Sequence, residues 1–257
     1  LDHIKGREVL NFYKINNILF FYISYLAVSF FILIFWLFIP TITLLIFLLV
    51  ASYHFGKEDS EIMEPRESIL LKFIFFVKGS VVISSPLFFQ FTETVIIFEL
   101  LNFNVNHLLF LNDEGVIGIF FYSSLLSNVY FLVEKGSKRN NSWFIFFDLF
   151  SINLLYYLLS PLIAFTLYFC FIHSFRHSVS LINQLDKNNF NRGFRKFFIK
   201  ALPLTIITAL LFLFAVFLLK NYYVLDAAIS KVIFIGLASL TFPHILLEYL
   251  LKKMKNE

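Results

Sequence analysis

The chain has 257 residues, of which 59% are hydrophobic, only 15% are charged and 38 are phenylalanine. A water-soluble fold of this length cannot hide so much apolar surface, so the composition excludes an ordinary soluble domain and implies a bilayer. The formal net charge of +4 is not a nucleic-acid signature, because most basic residues sit in loops between apolar runs, where they orient helices.

A spanning helix needs about 20 largely apolar residues. In chain order, eight segments meet or nearly meet this requirement: Ile18–Phe38, Thr41–Phe55, Ile69–Phe89, Val116–Val133, Trp143–Ser160, Pro161–Phe175, Ala201–Leu219 and Val232–Leu250. Pro40 and Pro161 fall at tight turns between neighbouring spans, where a missing N–H does least harm. The expected fold is all-α: a polytopic integral membrane bundle of about eight transmembrane helices, forming a single domain over residues 1–257. There is no internal repeat or low-complexity linker. The single cysteine, Cys170, excludes an internal disulfide and a cysteine-cluster metal site.

Lysine and arginine set the direction. All but four of the 21 fall on one side of these spans: Lys220 and Lys231 lie on the other side, and Lys72 and Lys78 lie within the third span. The stretch from Gln90 to Gly115 has none. This asymmetry is the positive-inside pattern, and it predicts a multi-pass protein of the cell (inner or plasma) membrane with both given termini cytoplasmic.

The six histidines are sorted by the same topology. His54 closes the second span at its inner end, and His173 and His177 close the sixth. His3 precedes the first span, His244 lies near the inner end of the last, and His107 falls on the outer side. His173 and His177, four residues apart, project from one helix face. Imidazole is the commonest side-chain metal ligand and binds when neutral. His54, at similar depth on another helix, offers a third nitrogen. The bland alternative is that these are interfacial residues bonded to carbonyls or headgroups, and that His244, after Pro243, satisfies a carbonyl released by the proline. The acidic run Glu58, Asp59, Glu61, Glu64 and Glu67 reads mostly as a solvated loop. Asp59 is the exception, placed to reach back once Gly56 lets the chain turn out of the membrane and to fix a ligand's tautomer. Imidazoles without thiolates suit iron, zinc or copper about equally.

Three stretches carry a resemblance. The run Tyr168-Phe169-Cys170-Phe171-Ile172-His173-Ser174-Phe175-Arg176-His177 resembles the YFCFxHSxRH signature of the bacterial membrane β-carotene dioxygenases of the Brp/Blh type. His54-Phe55-Gly56 and Asp59 are similar to that family's HFGxxD motif, and the run Gly236-Leu237-Ala238 to Pro243-His244 is similar to its GLAxLTxPH motif. The resemblance covers the whole chain in order. It implies that His54, His173 and His177 hold Fe2+, making them both the metal ligands and the catalytic residues. Asp59 and His244 are the candidates for orienting them. A fourth family ligand belongs to a PHGALD motif whose tail looks like Leu1-Asp2, so this ligand is expected upstream of Leu1 and the chain is expected to be truncated at its N-terminus. The implied reaction is cleavage of β-carotene by O2 at its central double bond to give two all-trans-retinal. β-Carotene and O2 are then the substrates, the lipid bilayer is the medium, and a rhodopsin is the recipient of the retinal; no nucleic acid is involved.

Rival readings are weaker. Di-iron membrane hydroxylases need more histidine boxes than six residues supply. The non-enzyme alternative is a non-catalytic carotenoid- or retinal-binding membrane protein; retinal binding by a Schiff base would need a lysine inside a span, and Lys78 is the deeper candidate, with Lys72 close enough to the inner end to snorkel. A transporter would show paired broken helices or an inverted repeat.

Overall fold

The computed structural model describes residues 2–15, 17–58, 68–106, 114–136 and 142–256. Twelve α-helices and one π-helical turn are formed among the described residues. They are α1 (Asp2–Phe12), α2 (Ile18–Phe38), α3 (Pro40–Glu58), α4 (Ile69–Gly79), α5 (Val81–Phe89), α6 (Phe91–Leu100), α7 (Glu114–Gly136), α8 (Ser142–Leu158), α9 (Pro161–Leu167), the π-turn Tyr168–His173, α10 (Ser174–Leu185), α11 (Phe190–Leu219) and α12 (Leu225–Asn256). Among the described residues, seven helical segments are long and apolar enough to cross a membrane, and the apolar stretch on α8 is shorter, Phe146–Leu158. All eight expected spans therefore lie on helices, one of them in abbreviated form. Helices α1 and α6 were not among the expected elements.

Their starts follow familiar chemistry. Asn17 caps α2 by accepting from the Leu19 N–H, Ser68 caps α4 by accepting from the Leu71 N–H, and Pro161 opens α9. The chain forms two compact units, one of Leu1–Leu44 with Val179–Glu257 and one of Leu45–Ser178.

In the first unit, α12 packs against α1, α2 and α11, and α1 packs against α2. The two most hydropathic windows, on α11 and α2, are the least buried: none of the α11 window and 6% of the α2 window is covered by protein. Leu37 is 80% exposed and Leu213 68%. Continuous apolar surface of this kind calls for lipid as solvent.

The second unit packs α5 against α7 and α8, α4 against α7, and α8 against α9 and the π-turn. Polar side chains fasten these helices internally. The Ser84 and Ser124 hydroxyls lie 2.9 Å apart, the Asn128 amide donates to the carbonyls of Lys78 and Ser124, and Gln90 donates to the carbonyls of Tyr156 and Leu159. In lipid such bonds hold helices together where hydrophobicity cannot.

The sequence-based expectation for Gly56 needs correction. The helix does not turn there but continues to Glu58, and Gly56 is buried. A Cβ at Gly56 would lie 1.8 Å from the Phe75 carbonyl oxygen, and one at Gly79 would lie 1.9 Å from the Ser52 carbonyl oxygen. The two glycines let the α3 and α4 backbones touch, the small-residue crossing common between membrane helices.

Candidate metal centre

His54 is carried by α3, two residues before the glycine crossing, and is 9% exposed. His173 ends the π-turn and is likewise 9% exposed. The π-turn is closed by the Ser174 N–H bonding to the Phe169 carbonyl, a five-residue step that widens one turn of an otherwise α-helical stretch; such turns recur at functional sites. The two rings meet, with centroids 5.8 Å apart at 68°. His173 is seated between Phe55, edge-on at 4.7 Å, and Phe169, near-parallel at 5.8 Å. These aromatic walls leave little room for the imidazole to rotate.

His177 follows on α10. Its Nδ1 lies 3.2 Å from Glu58 Oε2, and since a carboxylate only accepts, the ring nitrogen is the donor. That fixes the proton on Nδ1 and makes Nε2 the lone-pair nitrogen. An ion pair between Arg176 and Asp148 ties the start of α10 to α8.

Glu58 is the residue that sequence reasoning misplaced, having been grouped with a solvated loop. It ends α3 instead, one turn beyond His54. The signal was present as a His-x-x-x-Glu spacing, which puts both side chains on one helix face. Asp59, the expected orienting carboxylate, lies outside the described residues, as does His107. His3 lies on α1, and its side chain is not described. Lys78 is buried on α4, with its ammonium 5.8 Å from the centre of the Phe131 ring. Glu58→Gln is expected to lower metal affinity by about 10–100-fold, the usual cost of removing a group that orients a ligating histidine; metal titration of the purified variant measures it.

In the other unit, His244 meets carboxylates. Its Nδ1 lies 3.0 Å from both Asp2 carboxylate oxygens, and its Nε2 is 3.5 Å from Glu248, which Lys5 holds at 2.9 Å. The Tyr25 hydroxyl donates to Asp2 at 2.9 Å. Burial alone would raise the Asp2 carboxyl pKa, but the hydrogen bond and charge of His244, together with the Tyr25 bond, outweigh it and hold the group below the usual carboxylate range. A folded-state pKa depressed in this way contributes stability that is fully present above the unfolded value, about 3.9, and is lost as pH falls through the folded value. Asp2→Asn is therefore expected to destabilise the protein by about 1–3 kcal/mol at neutral pH, with the difference from wild type shrinking below about pH 4. Thermal unfolding across pH measures it.

The fold defines a polytopic helical membrane protein in which histidine rings from α3 and the π-turn meet. A family model described as Beta-carotene 15,15'-dioxygenase matches residues 1–252. The chain is also 30% identical over 237 residues to the Beta-carotene 15,15'-dioxygenase of uncultured marine bacterium 66A03, covering 91% of this chain and 80% of that relative. The chain therefore belongs to the β-carotene 15,15'-dioxygenase family and is an oxidoreductase of the carotenoid-oxygenase kind. No solved structure shows significant similarity to it.

Proposed function

We propose that the chain is an Fe2+-dependent dioxygenase that cleaves β-carotene at its central double bond with O2, releasing two all-trans-retinal. The observation that carries this reading is the 5.8 Å approach of the His54 and His173 rings in a chain of this family. Two imidazoles sharing one ion at about 2.1 Å have ring centres no more than roughly 6.5 Å apart, a separation that the His54 and His173 pair meets. His54, His173 and His177 would hold the iron, which when bound supplies a redox-active centre for O2. The reaction balances without a reductant: the carbon–carbon double bond breaks, each half takes one oxygen atom as an aldehyde, and the polyene supplies the electrons.

The chain's own residues prepare that chemistry. Glu58 keeps the His177 proton on Nδ1, and Phe55 and Phe169 hold the His173 ring in place and keep water from it. Their apolar faces suit a conjugated hydrocarbon arriving from lipid. By charge distribution the protein resides in the cell membrane with its given termini cytoplasmic, and its retinal would serve a rhodopsin. Expression of the complete reading frame in a β-carotene-accumulating host tests the reading. Loss of orange colour with formation of retinal is expected; carotene left intact while bound would favour a non-catalytic carotenoid-binding protein.

A further inference from the structure

Helix α11 is longer than a bilayer core requires. Its 30 residues extend about 45 Å, against about 30 Å of hydrocarbon. The stretch from Ala201 to Leu219 has no charge and already spans the core, which leaves residues 190–200 at the level of the headgroups. This segment is built differently from the rest of the helix. Arg192, Arg195, Lys196 and Lys200 are all exposed and fall within an arc of ~140° at the helical period. Phe190, Phe194 and Phe198, each about half exposed, occupy the opposite side, and the Phe194 and Phe198 rings stack at 6.2 Å.

The corner that leads into α11 is held firmly. Asn189 caps the helix by accepting from the Arg192 N–H at 3.0 Å. The Asp186 carboxylate receives Lys196 Nζ at 3.0 Å and lies 3.9 Å from Arg192 Nε. The hydrogen bond from Lys196 keeps Asp186 ionised below the usual carboxylate range. Asp186 is the only acidic residue between 186 and 200, against five cations when exposed Lys187 is included. The Arg192 side chain remains 70% exposed despite this brace. At the far end of α11 there is only Lys220, lying over Phe217 at 4.3 Å.

We propose that residues 186–200 form a docking surface for the phosphate headgroups of anionic glycerophospholipids, with Arg192, Arg195 and Lys200 as the binding cations and the phenylalanines anchored in the adjoining acyl region. Charge complementarity selects this occupant: a basic stripe beside an aromatic one, at headgroup depth, matches an anionic lipid interface. Asp186 holds Lys196 toward the corner, and Arg192, Arg195 and Lys200 provide the reach.

The test is native mass spectrometry of the intact protein released from nanodiscs containing equal parts phosphatidylglycerol and phosphatidylcholine. Wild type is expected to retain phosphatidylglycerol over phosphatidylcholine by at least fivefold. The triple variant Arg192→Gln, Arg195→Gln, Lys200→Gln should lose that preference, while the charge-keeping variant Arg192→Lys, Arg195→Lys, Lys200→Arg retains it. Lys220→Gln with Lys231→Gln should also leave it intact. Equal retention of the two lipids by wild type, an unchanged preference in the triple variant, or displacement of the lipid by millimolar inorganic phosphate would each overturn the proposal.

Discussion

Replacing His173 with alanine is expected to abolish both metal retention and retinal formation, a larger effect than the roughly 10–100-fold cost of removing a group that only orients a ligand. His173 sits at the centre of the cluster, its ring touching those of His54, Phe55 and Phe169. The substitution removes an imidazole nitrogen and opens a void between two aromatic rings, so loss of activity alone would not separate chemistry from packing. His173→Gln fills more of the space and still lacks an imidazole. It should match the alanine variant in metal content and activity while unfolding closer to the wild-type temperature. Retinal formation that persists after the metal is lost would reject the assignment.

The largest stability effect is expected at the crossing of α3 and α4. Gly56→Ala would drive a methyl group to 1.8 Å from the Phe75 carbonyl oxygen, and Gly79→Ala would bring one to 2.4 Å from the Gly56 nitrogen as well as 1.9 Å from the Ser52 carbonyl oxygen. These are backbone atoms and cannot rotate aside, so the helices must separate. A cost of about 3 kcal/mol or more is expected for either change, read as a fall in thermal unfolding temperature in lipid. Because His54 lies two residues before Gly56, metal content should fall as well. Gly118→Ala is the control: its nearest neighbouring atom is 3.8 Å away on the Tyr122 side chain, one turn along the same helix, and replacing a helical glycine with alanine in open space is neutral or mildly stabilising.

The spans were legible in the sequence because apolar runs of the right length have few other uses, and all eight are helical, the third divided between α4 and α5 and the sixth among α9, the π-turn and α10. Their ends were not. The helix of α3 runs through Gly56 because α4 buries that glycine, a tertiary fact that local propensity does not carry. Helix α11 begins at Phe190 rather than Ala201, since a basic amphipathic stretch is helical without being apolar. At the site, the histidines could be selected by depth, but the meeting of the His54 and His173 rings depends on the π-turn, which leaves no periodic signature. Glu58 was hidden by its acidic neighbours although its spacing from His54 was readable. The bond between Asp2 and His244 joins residues 242 positions apart, a separation that no local pattern spans.

Iron held jointly by imidazoles from α3, the π-turn and α10, as proposed, has a distinctive local structure. Iron K-edge X-ray absorption on the purified protein reads that ligation. About one iron per chain is expected, surrounded by light-atom neighbours at about 2.1 Å with the outer-shell pattern of imidazole, and both iron and pattern should be lost in His54→Ala. Iron bound through sulfur, or an unchanged spectrum in His54→Ala, would contradict this ligation.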